Sequence, residues 1–433
     1  MASSGHKQDR GGHAASAADK VSVRRVAVIG AGAAGCFCAA ELAALRPDLK
    51  ITVYEAGRKP LAKVAVTGGG RCNLTNSFAG ISDMSRAYPR GHRLMSRLFR
   101  QFGPEDTWKW FEDAGVALVL QEDQCVFPES QDAMQIVRTL LGKLRSGGVT
   151  LRTGCRLTGL SPGWKMDFAD GSSAKADAVV IATGGSPKRS GLAFLDSLGI
   201  ETAAPVPSLY TFKIDGPVRN LAGTVVKKAS CILAGTRVRS SGPLLITDWG
   251  MSGPAILKLS SYNARSLAEN GFKGTLIVNW SDEMTDTEAR EMIRGLLRGN
   301  EKKLLSSVRP EFLTNRLWEH LLVRAGLRND LRAGELGGKG LNRLVDVLTA
   351  DSYEIVGRAG FKEEFVTCGG VSLSEIDFNT MEAKRFPGLY FAGEVLDEDA
   401  ITGGFNLQAA WTTGYVAAHA IARQAVTADL PGS

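Results

Sequence analysis

The strongest hydrophobic pattern lies near the start of the chain, where an apolar run ends in glycines. Residues 26–29 are Val, Ala, Val and Ile without interruption, as is typical of a buried parallel strand. GAGAAG at 30–35 follows, then a small-residue stretch with helical character, then a second strand at 51–55 ending in Glu55. A strand, a glycine turn, a helix and a strand ending in a carboxylate form the unit that binds the ADP half of a dinucleotide.

Later apolar runs extend this pattern and then interrupt it. Strands are predicted at 149–157, at 178–181 before ATGG, and at 388–391 before a glycine and a glutamate. Between them, short β-type runs at 209–214, 224–228, 231–233 and 275–280 predict a small β-barrel or sandwich. Residues 283–343 have helical periodicity instead, with segments at 288–297 and 312–324.

These changes predict an α/β fold made of a discontinuous first domain and two inserted subdomains. We assign 1–22 to a disordered tail and 23–200 with 366–425 to a dinucleotide-binding domain. Residues 201–282 with 344–365 are assigned to a β-rich substrate subdomain, and 283–343 to a helical insert. A chain of 433 residues is long enough for two or three such units.

Composition narrows the class of protein. The hydrophobic fraction of 44% and charged fraction of 22% are ordinary for a globular protein, and no apolar run approaches a membrane span. Seven Cys without paired spacing favour a reducing compartment, so we expect a cytoplasmic protein without a disulfide framework. No CxxC pair or His cluster indicates a metal site, and none is expected.

The net charge of +7 has two interpretations, a polyanionic partner such as RNA or an ordinary solvated surface. Residues 86–100 contain five Arg and no acid, and three of these Arg share one face of a helix. The residues of the candidate basic faces for such a polyanion are Arg86, Arg90, Arg93, Arg97, Arg100, Lys227, Lys228, Arg237 and Arg239.

The loop TGGGRCNLTN at 67–76 points to FAD as the dinucleotide. A glycine-rich loop with Arg and Asn directly after the nucleotide-binding unit suits the diphosphate and ring of a flavin. Arg71 either neutralises the cofactor or is a surface residue. The residues predicted to bind FAD are Gly30, Gly32, Ala33, Ala34, Gly35, Glu55, Ala56, Lys63, Gly68, Gly69, Gly70, Arg71, Asn73, Leu157, Ala182, Thr183, Gly184, Gly393, Glu394, Asp397, Gly404, Phe405, Asn406 and Leu407.

Two side chains are candidates for the catalytic proton donor. The thiol of Cys72 stands in the glycine-rich loop, and the alternative is an inert cysteine packed behind that loop. The hydroxyl of Thr367 lies in a segment expected to return from the insert, and the alternative is a turn cap. A second GxGxxG unit is not present in the sequence, so NAD(P)H is expected to dock only transiently as the reductant.

Taken in order, these motifs resemble the BaiN-like flavoproteins. The resemblance rests on GAGAAG at 30–35, TGGGRCNLTN at 67–76, VFPES at 126–130, ATGG at 182–185, GMSGPAIL at 250–257, VTCGGVS at 366–372, and GLYFAGEVLD through TGGFNLQAAW at 388–411. It implies a glutathione-reductase-type Rossmann FAD domain interrupted by a β-barrel-like subdomain and a helical subdomain. It also implies a reductase of a conjugated carbon–carbon double bond, in an enone or in a uracil of ribosomal RNA.

The chain departs from that family at three positions. Asp248 stands where the family commonly has His, Cys125 where Arg is usual, and Cys368 where a small residue is usual. If the histidine matters in relatives, its role here passes to Asp248 or is absent. Three functions remain open: reduction of uracil in ribosomal RNA to dihydrouridine, reduction of a small enone, and non-catalytic RNA binding by an FAD-containing protein.

Overall fold

The computed structural model describes residues 24–186, 188–328, 330–359 and 366–427. The predicted disordered tail at 1–22 lies outside these residues, as do 360–365 of the predicted β-rich subdomain. The strands are β1 Arg25–Ile29, β2 Lys50–Glu55, β3 Thr75–Asn76, β4 Leu118–Leu120, β5 Cys125–Pro128, β6 Thr150–Thr153, β7 Leu157–Ser161, β8 Lys165–Phe168, β9 Ser173–Lys175, β10 Ala178–Ile181, β11 Thr202–Ser208, β12 Phe212–Ile214, β13 Val225–Leu233, β14 Arg239–Thr247, β15 Gly250–Ser252, β16 Gly274–Asn279, β17 Asp351–Arg358, β18 Val366–Val371 and β19 Leu389–Phe391.

The α-helices are α1 Ala33–Leu45, α2 Ala62–Gly70, α3 His92–Leu98, α4 Pro104–Asp113, α5 Ala133–Ser146, α6 Pro254–Tyr262, α7 Ala264–Glu269, α8 Asp286–Leu297, α9 Asn315–Arg324, α10 Gly338–Ala350 and α11 Phe405–Thr427. Short 3₁₀ helices cover Met84–Arg86, Arg189–Leu198, Pro217–Leu221, Leu305–Ser307, Ala333–Glu335, Leu373–Glu375 and Gly393–Val395. Within these described stretches, no helix combines the length and apolarity that crossing a membrane requires.

A parallel sheet in the order β19-β10-β1-β2-β6 forms the centre of the larger part of the molecule. The middle strand β1 pairs with both β10 and β2, and Val28 at its centre is completely buried between Val180 and Val53. Packing on both faces requires such uninterrupted apolar strands. This sheet confirms the predicted Rossmann-type fold, and it places the carboxyl ends of β1, β10 and β19 at one edge.

The inserted β-rich part closes into a six-stranded barrel in the order β12-β15-β14-β13-β16-β17. Its interior residues share one apolar core with helices α8 to α10, including Phe212, Trp280, Trp318 and Leu344. Helix α8 begins where Thr285 and Glu288 cap it reciprocally. The barrel and adjoining helices confirm the predicted fold class, while the domain boundaries assigned from the sequence stay predictions.

Candidate functional site

The glycine turn between β1 and α1 is closed by backbone-to-backbone contact. Gly30 donates its amide to Tyr54 O at 2.7 Å, and a Cβ added there would lie 2.2 Å from Ala182 O. A Cβ on Gly35 would lie 1.9 Å from Gly30 O, so both positions exclude any side chain. Gly32 differs, because a Cβ there would meet nothing within 4 Å. This position opens into a cleft rather than onto protein.

Helix α1 begins at this turn without a side-chain cap. Gly32 is its N-cap residue and contributes no side-chain hydrogen bond. The first amides of a helix lack intrahelical partners and carry the positive end of the helix dipole. The turn is therefore suited to bind a diphosphate.

Glu55 is held beside the turn by two backbone amides. Its Oε2 accepts from the Ala31 amide at 2.8 Å and its Oε1 from the Gly57 amide at 2.7 Å. Each carboxylate oxygen retains a further lone pair, which suits the hydroxyls of an adenosine ribose. The position of Glu55 at the end of β2 places this group on the rim of the cleft.

The glycine-rich loop breaks helix α2 and is fastened to the segment before α11. Backbone angles leave the helical region from Thr67 to Gly69, with φ of +58° at Gly68 and +70° at Gly69. The Asn73 amide, oriented to satisfy both neighbours, donates to Thr75 O at 3.0 Å and accepts from the Gly404 amide at 3.2 Å. A Cβ on Gly404 would lie 2.3 Å from Thr75 O, so the two segments touch through their backbones.

Arg71 and Cys72 of this loop do not line the cleft. Arg71 is exposed, with its guanidinium carbon 4.5 Å above the centre of the Phe127 ring and Nη1 3.4 Å from Gln131 Oε1. Cys72 is completely buried in the main apolar core, and this burial raises the pKa of its thiol to about 12. Their predicted roles in cofactor binding and catalysis stay predictions.

The opposite wall is built around Glu394 at the end of β19. Its Oε1 accepts from the Thr367 amide at 2.8 Å, and its Oε2 lies 3.2 Å from Lys63 Nζ. The Lys63 side chain is 65% exposed, so solvent weakens this ion pair across the cleft. Thr367 itself is buried, and its Oγ1 would be 2.6 Å from a Cβ on Gly185.

Together these walls enclose a cleft of about 540 Å³. Of the predicted cofactor-binding residues, those lining it are Gly30, Gly32, Ala33, Ala34, Glu55, Lys63, Gly68, Gly69, Asn73, Ala182, Thr183, Gly184, Gly393, Glu394, Gly404, Asn406 and Leu407. The glycine turn, the uncapped helix and the carboxylate at the end of β2 fit the ADP half of FAD. These residues would hold the cofactor, and Gly32 leaves room for its close approach.

Seven predicted cofactor residues lie outside the lining of this cleft: Gly35, Ala56, Gly70, Arg71, Leu157, Asp397 and Phe405. Asp397 instead binds Arg265, whose Nη2 lies 2.6 Å from Oδ1. The Phe405 ring is buried in an aromatic cluster, 5.0 Å from the Phe78 ring centre. Leu157 is buried in the main apolar core.

The remaining lining residues were not among those predicted to bind the cofactor, and they are Ala31, Lys59, Leu61, Ala62, Val64, Thr67, Gly185, Leu209, Leu257, Val366, Ala392, Thr402, Gly403 and Ala410. Leu209 and Val366 come from the two-stranded connection to the barrel, and Leu257 comes from α6. All three side chains are apolar, whereas Glu55, Lys63 and Glu394 elsewhere on the lining are charged. Asp248, at the hairpin before β15, does not line the cleft.

One residue of the predicted basic face is mostly covered by other parts of the protein. Arg90 has a side chain only 13% exposed, its Nε lies 2.5 Å from Asp399 Oδ1, and its Nη1 donates to Ser261 O at 2.9 Å. Asp399 also accepts from the Ser208 hydroxyl at 3.1 Å. The expectation that Arg90 contributes to an exposed face is therefore wrong, because its charge is neutralised inside the protein.

The other predicted basic residues are exposed. They are Arg86, Arg93, Arg97 and Arg100 around helix α3, and Lys227, Lys228, Arg237 and Arg239 on β13, β14 and the loop that joins them. Two separate surfaces of the molecule thus carry them. Their predicted role in RNA binding stays a prediction.

Comparison with known proteins finds one matching family and several relatives that align over most of the chain. The HI0933-like protein Rossmann domain family matches residues 24–420. The 3-dehydro-bile acid delta(4,6)-reductase of Clostridium scindens is 30% identical over 93% of this chain and 100% of that protein. The ribosomal RNA dihydrouridine synthase of Escherichia coli is 29% identical over 90% of this chain and 96% of that protein. The corresponding synthase of Haemophilus influenzae is also 29% identical, over 92% of this chain and 98% of its own length.

Proposed function

The chain belongs to the HI0933-like Rossmann domain family and is an FAD-dependent oxidoreductase, and we propose that it reduces a conjugated carbon–carbon double bond. The substrate we propose is a uracil of ribosomal RNA, giving dihydrouridine. The observation that carries the proposal is the cleft, whose lining combines a dinucleotide turn with the apolar residues Leu209, Leu257 and Val366.

In this proposal, one group of lining residues binds the cofactor and the other contacts the substrate. The amides after Gly32 bind the diphosphate and Glu55 binds the ribose. Bound FAD, once reduced, supplies hydride to the β carbon of the conjugated carbonyl. Leu209, Leu257 and Val366 exclude water and provide an apolar surface for a planar ring.

The reaction also requires a proton at the α carbon. Thr367 and Cys72 are the candidates named from the sequence, and Thr367 is the better placed of the two. Thr367 does not line the cleft, but its amide donates to the cleft residue Glu394 at 2.8 Å and its hydroxyl lies beside the cleft residue Gly185, whereas Cys72 is buried in the apolar core. We propose that the Thr367 hydroxyl passes a proton from solvent, since general acid catalysis needs a donor within hydrogen-bond reach.

A uracil in RNA is preferred because two relatives are named as ribosomal RNA dihydrouridine synthases and because this chain carries a net charge of +7. The second candidate is a small enone, favoured by the apolar lining and by the bile acid reductase at 30% identity. NAD(P)H is the proposed reductant in both cases. It would dock transiently, since the sequence has a single GxGxxG turn.

Gene deletion with dihydrouridine mapping of ribosomal RNA tests the substrate. We expect one dihydrouridine to disappear and to return when the intact gene is restored. A matched strain carrying Glu55→Ala tests whether the cofactor is required, and it should fail to restore the modification. An unchanged dihydrouridine profile after deletion would refute the RNA substrate.

Purified protein distinguishes the alternatives. An RNA reductase should consume NAD(P)H only with RNA and at a rate that falls as salt rises, because backbone contacts release counterions. An enone reductase should turn over a small steroid enone at a rate indifferent to salt. If a variant with no measurable NAD(P)H turnover fully rescued the deletion strain, the non-catalytic RNA-binding role would be favoured.

A further inference from the structure

A basic groove lies on helix α3 and the nearby turn that contains Asn379; we name it the arginine groove. It encloses about 690 Å³ and is lined by Arg93, Ser96, Arg97, Arg100, Gln101 and Asn379. Each of these side chains carries a hydrogen-bond donor, and none of them is acidic, aromatic or aliphatic. The lining is thus suited to bind an anionic group that has no apolar part of its own.

The helix presents these arginines because its other face is buried. Leu94, Met95 and Leu98 are completely buried, which leaves Arg93 and Arg97 on the exposed face. Arg100 follows the helix end, where its amide donates to Arg97 O at 3.3 Å and continues the turn. Residues three and four apart on a helix lie about 5–6 Å from each other. The three positive charges therefore form one row.

The positive charges of the groove arginines are not neutralised by nearby carboxylates among the described residues. Arg97 Nε donates to Asn379 Oδ1 at 3.1 Å, which orients the guanidinium without cancelling its charge. Within the described part of the chain, Arg93 and Arg100 have no carboxylate partner. Asp377 accepts from the Asn379 amide and side chain, both at 2.9 Å, and within the described residues it forms no ion pair with a groove arginine.

Buried packing connects the groove to the cleft. Met95, on the inner face of α3, belongs to the same apolar cluster as Ile401 and Phe405. These two residues flank 402–404, which line the cleft. The inner face of α3 and the segment at 402–404 thus pack on one apolar cluster, with the groove on the exposed face of α3.

We propose that the arginine groove binds the phosphate backbone of the RNA whose uracil enters the cleft, an inference that rests on the proposed RNA substrate. Planar guanidinium groups bind phosphate oxygens in pairs, and three of them line the groove. The lining has no aromatic ring on which a base could stack, so the contact is independent of base sequence.

The test compares two triple variants of the FAD-loaded protein. Arg93→Gln, Arg97→Gln and Arg100→Gln remove the groove charges, while Arg298→Gln, Lys302→Gln and Lys303→Gln remove three exposed charges from the helical insert. Binding of a fluorescein-labelled, single-stranded, uridine-containing RNA is measured by anisotropy over a salt series. The groove variant should flatten the slope of log K against log salt by about 2, since each phosphate contact contributes roughly 0.7 for single strands.

The control variant should keep the wild-type slope, and Arg100→Gln alone should flatten it by about 0.7. Flavin absorbance checks that each variant retains FAD and its fold. The proposed role of the arginine groove is overturned if the groove variant keeps the wild-type slope, or if the slope of the control variant flattens as much as that of the groove variant. Neither result contradicts the proposed RNA substrate. Wild-type protein that neither binds RNA nor forms dihydrouridine in it overturns the proposed function itself.

Discussion

Gly32→Ala separates cofactor binding from folding. The residue has φ of −85° and ψ of −166°, an extended conformation that alanine adopts without strain. A Cβ there meets no protein atom within 4 Å, and the position lines the cleft. The added methyl group would therefore occupy space that the protein leaves open and that the cofactor diphosphate needs.

The expected magnitude follows from these contacts. Without FAD, the variant should be as stable as wild type or about 0.4–1 kcal/mol more stable, since alanine restricts the unfolded chain. With FAD, a methyl group at a close contact costs about 1–3 kcal/mol of overpacking. The dissociation constant for FAD should rise by roughly 5- to 150-fold. Flavin fluorescence titration of the apoprotein measures affinity, and thermal unfolding of the apoprotein measures stability.

Two further alanine variants serve as controls for Gly32→Ala. Gly142→Ala on helix α5 also meets nothing within 4 Å but lies outside the cleft, so it should leave FAD affinity unchanged. Gly30→Ala has φ of +107° and a Cβ 2.2 Å from Ala182 O, so it should destabilise the apoprotein itself. Wild-type FAD affinity in Gly32→Ala would refute the assignment of this turn as the diphosphate site.

The remaining predictions concern three side chains. Glu55→Gln should weaken FAD binding by about 10- to 150-fold in the same titration, because hydrogen bonds to charged groups are worth about 1.5–3 kcal/mol; unchanged affinity would contradict the ribose contact. Cys72→Ala should lower stability by about 1 kcal/mol in denaturant titration yet retain turnover, because the thiol packs in the core; a loss of about a hundredfold or more in kcat would identify it as the proton donor. Glu398 is buried, its Oε1 has no hydrogen-bond partner among the described residues, and burial followed by the charge of Asp399 raises its pKa well above 4.5. The folded state therefore retains a proton that the unfolded state releases, so wild-type stability falls as pH rises above 4.5. Glu398→Gln should be increasingly more stable than wild type above this pH, by up to about 1.4 kcal/mol per pH unit, and a gap independent of pH in unfolding titrations would contradict this.

The part of the cleft lining formed by the glycine turn could be predicted from the sequence because its residues lie close together in the chain. Gly30, Gly32 and Glu55 lie within one strand–turn–helix–strand unit, whose geometry follows from strand and helix periodicity. The same holds for Gly404, which precedes a long apolar helix. In each case the function of the residue depends on neighbours a few positions away, so a single sequence carries the information.

The apolar lining was not predictable in this way. Leu209, Leu257 and Val366 come from segments up to about 150 residues apart, and each is an ordinary hydrophobic residue in its own context. Only closure of the barrel against the sheet brings them together. Asp397 and Arg90 show the same effect for charges, because their partners Arg265 and Asp399 are far away in sequence. Tertiary pairing decides whether such a charge faces a ligand.

The glycine-rich loop has a structural role that its composition does not reveal. Its end at Thr75 is in backbone contact with Gly404, and Gly30 is in backbone contact with Ala182. Both contacts bring segments from distant parts of the chain closer than any side chain permits. In these segments a Cβ on Gly32, Gly69 or Gly70 would meet nothing within 4 Å among the described residues, and Gly32 and Gly69 line the cleft. We therefore propose that the loop forms one wall of the cleft, while its arginine and cysteine lie outside the cleft lining.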